Sequence, residues 1–181
     1  MSTNNKILTI DLDGVICGSP YPFKLGINKK ILNPKSAPPK AFVPPKILLK
    51  FTDKLRYSYR PILPNIKETL ITLQKHRKLI LLTGRRTSPI NWLEKNNIRK
   101  FFHEIIINQT SLASSHYKLY KIQDIKPEEH IDDDIQTIRL LNDITNCKLF
   151  LRVWNYNQKL SLPSNIQKIN DFKELTNFIT K

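Results

Sequence analysis

The chain reads as an α/β protein built on a mainly parallel sheet. Three observations lead there. Five short segments rich in Ile, Leu and Val, at 6–10, 78–83, 104–108, 129–131 and 148–154, are apolar in runs rather than in alternation. Continuous apolar runs belong to strands buried on both faces, the situation of parallel strands. Helix-period patterns lie between them, and strands that alternate with helices pack as right-handed crossovers. The 181 residues fit one domain, 1–181, and the 40% hydrophobic content supplies a core, which excludes a wholly disordered chain.

The first strand, KILTI, runs directly into Asp11-Leu12-Asp13-Gly14. About seventy residues then pass before the second strand, long for a crossover. Nine of the twelve prolines fall at 20–64, so 20–45 is neither a continuous helix nor a central strand. A helix is expected at 46–56. The same segment carries ten Lys/Arg (Lys24, Lys29, Lys30, Lys35, Lys40, Lys46, Lys50, Lys54, Arg56 and Arg60) against one acid, Asp53, in a chain of net charge +15. A basic surface attracts anionic substrates or nucleic acid. The alternative is a solvated segment in a Lys- and Asn-rich chain.

Residues 65–76 place Ile66, Leu70 and Leu73 on one helical face. The second strand ends in Thr83-Gly84-Arg85. Ser88-Pro89 reads as an N-cap with Pro at the first helical position, opening 90–96. Ser115 is expected to cap a helix through 124 that carries Lys118 and Lys121. The fourth strand ends in Asp132-Asp133-Asp134, and a helix at 135–142 follows with Leu140 and Leu141. After residue 170, Phe172, Leu175, Phe178 and Ile179 recur at helical spacing.

No apolar run approaches the roughly 20 residues of a membrane helix. The first ten residues lack the basic head and apolar stretch of a secretory signal. Cys17 and Cys147 are too few for a disulfide scaffold, so a reducing, cytoplasmic setting is expected.

Ligands of open parallel sheets bind at the carboxyl ends of the strands. Those ends here carry Asp11 and Asp13, Thr83, and Asp132 to Asp134, with Lys118 and Lys121 on the helix after the third strand. Clustered carboxylates call for a cation, and hard oxygen ligands suit Mg²⁺. A cation, an ammonium and a hydroxyl suit a phosphoryl group, which a facing carboxylate can attack. A second carboxylate two residues on can act as acid and then base. Gly14 removes a Cβ where the chain turns beside the ligand.

The motifs ILTIDLDGV, LILLTGR, a lysine in third place and EEHIDDD, in this order, resemble those of the haloacid dehalogenase-like (HAD) phosphohydrolases. The resemblance covers 6–15 and 78–155 and not the insert between them. It implies a three-layer Rossmann-like fold and Mg²⁺-dependent hydrolysis of a phosphomonoester through an aspartyl-phosphate. It implies Asp11 as nucleophile and metal contact, and Asp13 as general acid/base with its carbonyl on the metal. Thr83 and Gly84 would meet the phosphoryl group. Lys118 or Lys121 would balance its charge, Lys118 being favoured as nearer the helix start. Asp133 is the favoured fourth-motif metal ligand and Asp132 the second choice, with Asp134 in a supporting place. Arg60 and Arg85 are candidate substrate contacts.

In such proteins an insert between the first two motifs forms a cap, which makes 16–64 a small lid. The stretch from Arg56 to Pro64, with HIDDD and VWNYN, is more loosely similar to the deoxyribonucleotidase-like branch, which implies a nucleotide substrate. A polynucleotide end phosphatase, or a non-catalytic nucleic-acid-binding module on the same scaffold, are the alternatives. Among the other polar residues, His116 reads as a surface histidine, His76, His103 and His130 show no ligand spacing, Cys17 reads as a buried thiol, and Trp92 and Trp154 as core.

Overall fold

Among the described residues of the computed structural model, 6–18 and 60–180, six strands form one all-parallel sheet in the order β3-β2-β1-β4-β5-β6. They are β1 (Ile7–Ile10), β2 (Lys78–Thr83), β3 (Glu104–Ile107), β4 (Glu129–Asp132), β5 (Lys148–Arg152) and β6 (Gln167–Ile169). The five apolar segments are the first five strands. The sixth strand is additional: three residues at the sheet edge beside β5. The expected helix at 46–56, and most of the 16–64 insert with its lysines and aromatics, lie outside the described residues.

Helices cover both faces. They are α1 (Ile66–Leu73), α2 (Ile90–Lys95), α3 (Ser114–Ile125), α4 (Ile135–Asn142) and α5 (Thr176–Ile179), the last preceded by a 3-10 turn, Phe172–Leu175. The period-two alternation of strand side chains sorts the interior into two cores. Leu8, Ile10, Leu79, Leu81, Ile131 and Phe150 pack with α1, α2 and the C-terminal turn and helix. Leu82, Leu149 and Leu151 pack with Tyr117, Leu119 and Ile122 of α3 and Ile138, Leu140 and Leu141 of α4. The result is three layers: helices, sheet, helices.

Two helix starts differ from the sequence reading. Pro89 is itself the N-cap of α2, because its ψ of 6° precedes the helix proper, and the Ser88 hydroxyl accepts from Ile90 N–H at 3.4 Å. Helix α3 begins one residue before Ser115, after an extended Ala113, with no side-chain cap.

The strand order places the topological switch between β1 and β4, which are paired Thr9 to His130 and Ile10 to Ile131. At such a point the crossovers leave β1 and β4 toward opposite faces, opening a crevice beyond their carboxyl ends. Asp11 and Asp132 sit at those two ends.

Candidate active site

After β1 the chain makes a tight turn. Ile16 and Cys17 N–H both donate to Leu12 C=O at 3.0 Å, and Gly14 N–H donates to Cys17 C=O at 2.9 Å. Gly14 has φ 72°, a left-handed conformation that favours glycine, and a Cβ there would collide with the Asp133 carboxylate. The turn leads into a tie between the two ends of the insert. Gly18 N–H donates to Pro61 C=O and Leu63 N–H to Ile16 C=O, each at 3.0 Å. That tie delivers Arg60 to the site.

Lys118, in the second turn of α3, is buried between two carboxylates. Its Nζ is 2.9 Å from Asp11 Oδ1 and 2.7 Å from Asp132 Oδ2. One oxygen each of Asp11, Asp132 and Asp133 lie within 4.8 Å of one another. Burial drives the Asp11 carboxyl well above the usual carboxylate range; Lys118 opposes this only in part, and Asp132, Asp13 and Asp133 add to it. Asp132 is also buried, but Lys118 and His130 outweigh the desolvation and hold it below that range. Burial works against the Lys118 ammonium, yet its two carboxylates outweigh that and keep it charged.

Asp132 is fully engaged. Besides Lys118, its Oδ1 accepts from Asp134 N–H at 2.9 Å and its Oδ2 lies 3.3 Å from His130 Nε2. His130 is buried on β4, with Nδ1 2.9 Å from the Thr9 hydroxyl. Burial lowers its pKa, against the pull of the Asp132 carboxylate. Asp134 caps α4: its carboxylate accepts from Gln136 N–H, Thr137 N–H and the Thr137 hydroxyl, the last at 2.7 Å. Asp133 lies between Gly14 and the loop after β5. It accepts from the Tyr156 hydroxyl, and its carbonyl accepts from Asn157 Nδ2 at 3.1 Å. Three adjacent acids thus meet three different environments.

Asp13 takes another. Arg85 grips it through Nε at 2.5 Å and Nη2 at 2.6 Å, and Arg60 Nη1 also donates to it. Burial would raise the Asp13 pKa, but Arg85 and then Arg60 outweigh it and hold the carboxyl below its ordinary value. Arg60 is steadied through its carbonyl, which accepts from the Trp92 indole at 3.2 Å. Cys17 is buried beneath this group, and burial and the Asp13 carboxylate push its thiol up to about 12. It is inert as a nucleophile at neutral pH.

Thr83 is fully buried at the end of β2, where its hydroxyl accepts from Arg85 N–H at 3.3 Å. A Cβ on Gly84 would strike the Ser114 side chain, so glycine here lets the start of α3, and with it Lys118, approach the sheet. Lys121 is not brought to the site. It points outward and pairs with Asp124 at 3.7 Å. His116 departs from the surface reading: it is 2% exposed, and neither ring nitrogen has a hydrogen-bond partner among the described residues. Trp154 is half-buried, its indole donating to Gly14 C=O at 2.9 Å. Sequence reasoning passed over Tyr156, Asn157 and His130 as site neighbours. The only signal for His130 was its spacing of two from Asp132, which places both side chains on one face of β4.

The donor set fits Mg²⁺. Three clustered acids face one ammonium, and the Asp11 carboxyl is pushed up by burial first and by its acidic neighbours second. Hard anionic oxygens are what a small divalent cation takes.

No protein-family model matches the chain, and no curated protein does. Solved structures do match. A HAD-superfamily hydrolase of subfamily IA, variant 1, from Geobacter sulfurreducens aligns over 99% of this chain and 100% of its own, with TM-score 0.62 and 14% identity. A haloacid dehalogenase-like hydrolase from Streptococcus pneumoniae aligns over 97% and 99%, with TM-score 0.61 and 16% identity. A Bacillus subtilis protein described as a HAD hydrolase, bound to magnesium, aligns over 74% of this chain and 60% of its own, with TM-score 0.55 and 16% identity. At these identities what is shared is the architecture: the chain has the fold of the HAD hydrolases.

Proposed function

We propose that the protein is a Mg²⁺-dependent phosphatase of the HAD type, acting on a phosphomonoester through an aspartyl-phosphate on Asp11. The observation that carries this reading is the Lys118 ammonium seated between Asp11 and Asp132, at the switch point of a HAD-like sheet. Asp11 and Asp133, with the Asp13 main-chain carbonyl, would hold the cation, since both Asp132 oxygens are already engaged. When bound, Mg²⁺ supplies positive charge to the phosphoryl oxygens and offsets the carboxylates.

The chain's own groups do the rest. Lys118 holds the Asp11 carboxylate in place, and Lys118 and the bound cation together would favour its anionic form for attack on phosphorus. The Thr83 hydroxyl and the Gly84 backbone meet the phosphoryl oxygens. As the P–O bond to the leaving group breaks, Asp13 gives that oxygen a proton. Asp13 then takes a proton from the water that attacks the aspartyl-phosphate, releasing inorganic phosphate and restoring Asp11. Arg60 and Arg85 would exchange Asp13 for the anionic groups of the substrate. That exchange lifts their hold on Asp13 and lets it carry a proton.

The insert 16–64 acts as the lid, its ends tied at 16–18 and 61–63 beside the site. A nucleotide is the substrate the motif resemblance favours. The concentration of ten Lys/Arg against one acid at 20–64, ending at Arg60 in the site itself, favours a phosphorylated polynucleotide end as the second reading.

The test is phosphate release from mononucleotides, sugar phosphates and 3′- or 5′-phosphorylated oligonucleotides, with Mg²⁺ or chelator, for the wild type and Asp11→Asn. Release should require both Mg²⁺ and Asp11. A folded, Mg²⁺-loaded protein that releases nothing from any member would overturn the reading.

A further inference from the structure

The loop after β5 reaches the site with three side chains that the proposed chemistry does not use. Asn157 is fully buried and organises the loop: its Oδ1 accepts from Trp154 N–H at 2.7 Å, and its Nδ2 donates to the carbonyls of Arg152 at 2.9 Å and Asp133 at 3.1 Å. The Trp154 indole holds the Gly14 carbonyl at 2.9 Å. Tyr156, on the arc between them, donates its hydroxyl to Asp133 Oδ2, with the Asp133 carbonyl 3.3 Å away. Gly14 lies against the same carboxylate, its missing Cβ leaving the space that Asp133 Oδ2 occupies.

A carboxylate on a turn has rotamer freedom that a cation must remove on binding. A phenol donating to one oxygen removes it beforehand, and such outer partners orient metal ligands. We infer, on the reading of Asp133 as a cation ligand, that Tyr156 is a positioning residue that sets the site's affinity for its divalent cation by fixing the Asp133 carboxylate. The loop at 153–157 is its support, and it also braces the Gly14 turn that lies against the same carboxylate.

The test is calorimetric titration of the full chain with Mg²⁺, repeated with Mn²⁺ by electron paramagnetic resonance, for wild type, Tyr156→Phe and Asp133→Asn. The phenylalanine keeps the ring and removes only the hydroxyl. It should weaken cation binding by about tenfold, with the melting temperature in chelator unchanged and the stabilisation by Mg²⁺ reduced. Where turnover is measured, half-saturation in Mg²⁺ should shift by the same factor while KM for substrate at saturating Mg²⁺ holds. Asp133→Asn should bind most weakly. Affinity of Tyr156→Phe within twofold of a wild type that binds Mg²⁺ overturns this inference and leaves the proposed function standing. A wild type that takes up neither cation overturns both.

Discussion

Lys118 is shared between two buried carboxylates, and that sharing makes it the residue whose loss is most informative. Lys118→Met would leave Asp11 and Asp132 facing each other with no ammonium between them. Breaking a buried ion pair by removing one partner costs about 3–5 kcal/mol, and part of that should return when Mg²⁺ is added, as thermal unfolding with and without chelator would show. Asp11→Asn should behave in the opposite sense. Folding raises the Asp11 pKa, so between its unfolded value near 3.8 and its higher folded value the native state binds the extra proton. In that window the Asp11 contribution to stability falls as pH rises. In chelator, the variant's melting temperature should exceed the wild type's by a margin that grows from pH 4 upward and then levels. A margin independent of pH would contradict the assignment. At this scale the sequence was half legible. DLDG marked Asp11 and Asp13 through their place after an apolar run. Between Lys118 and Lys121 the only guide was nearness to the helix start, because residues three apart share a helix face; the structure seats Lys118 between Asp11 and Asp132 and leaves Lys121 to Asp124. The run of three acids was likewise ambiguous until α4 began at Ile135 and took Asp134 as its cap.

Among the elements, the ends of β1, β2 and β4 carry most of the site and α3 brings its lysine, and both α3 and α4 can be disturbed at their starts. Asp134→Ala removes acceptors for two N–H groups and the Thr137 hydroxyl and should cost about 1 kcal/mol, a fall in melting temperature of about 2–4 °C for a chain of this size. Gly84→Ala sets a methyl against Ser114 and should displace α3, lowering activity through Lys118; pairing it with Ser114→Gly should restore activity in part, measured as kcat in the single and double variants. Element boundaries were legible where a strong pattern carried them: Ile66, Leu70 and Leu73 are all buried, and α4 runs from Ile135 to Asn142 as its residues suggest. They were not legible where geometry overrode local chemistry. Pro89 stands outside α2 rather than in its first turn. Strand β6 has only Gln167, Lys168 and Ile169, of which Ile169 alone is fully buried, so its apolar signal is a single residue.

At the scale of the whole molecule, the parallel sheet was readable because continuous apolar runs have few other homes. The order of its strands was not, since nothing in the runs says which pairs with which. A pair away from the site's end of the sheet depends on that order. Arg77, just before β2, grips Glu129 at the start of β4 through two hydrogen bonds of 2.8 Å, both side chains more than nine-tenths buried. Arg77→Met should lower stability by about 3 kcal/mol without changing Mg²⁺ affinity, and a double variant with Glu129→Gln should recover part of the loss. Charge is the other global property. If the basic segment at 20–64 serves polynucleotides, affinity for a phosphorylated oligonucleotide should drop steeply with salt, whereas a mononucleotide should be far less affected.

The strand order also divides the described residues into two halves. Among the described residues, those up to 108 build one flank of the sheet, β3-β2-β1, and those after it the other, β4-β5-β6; β1 and β4 meet along a single seam. Arg77 and Glu129 fasten that seam at one edge, and Asp11, Lys118 and Asp132 fasten it at the other. A chain severed between residues 108 and 114 would therefore yield two pieces, each holding an incomplete set of anionic oxygens, and under the proposed function a divalent ion would bind only where the pieces had reunited.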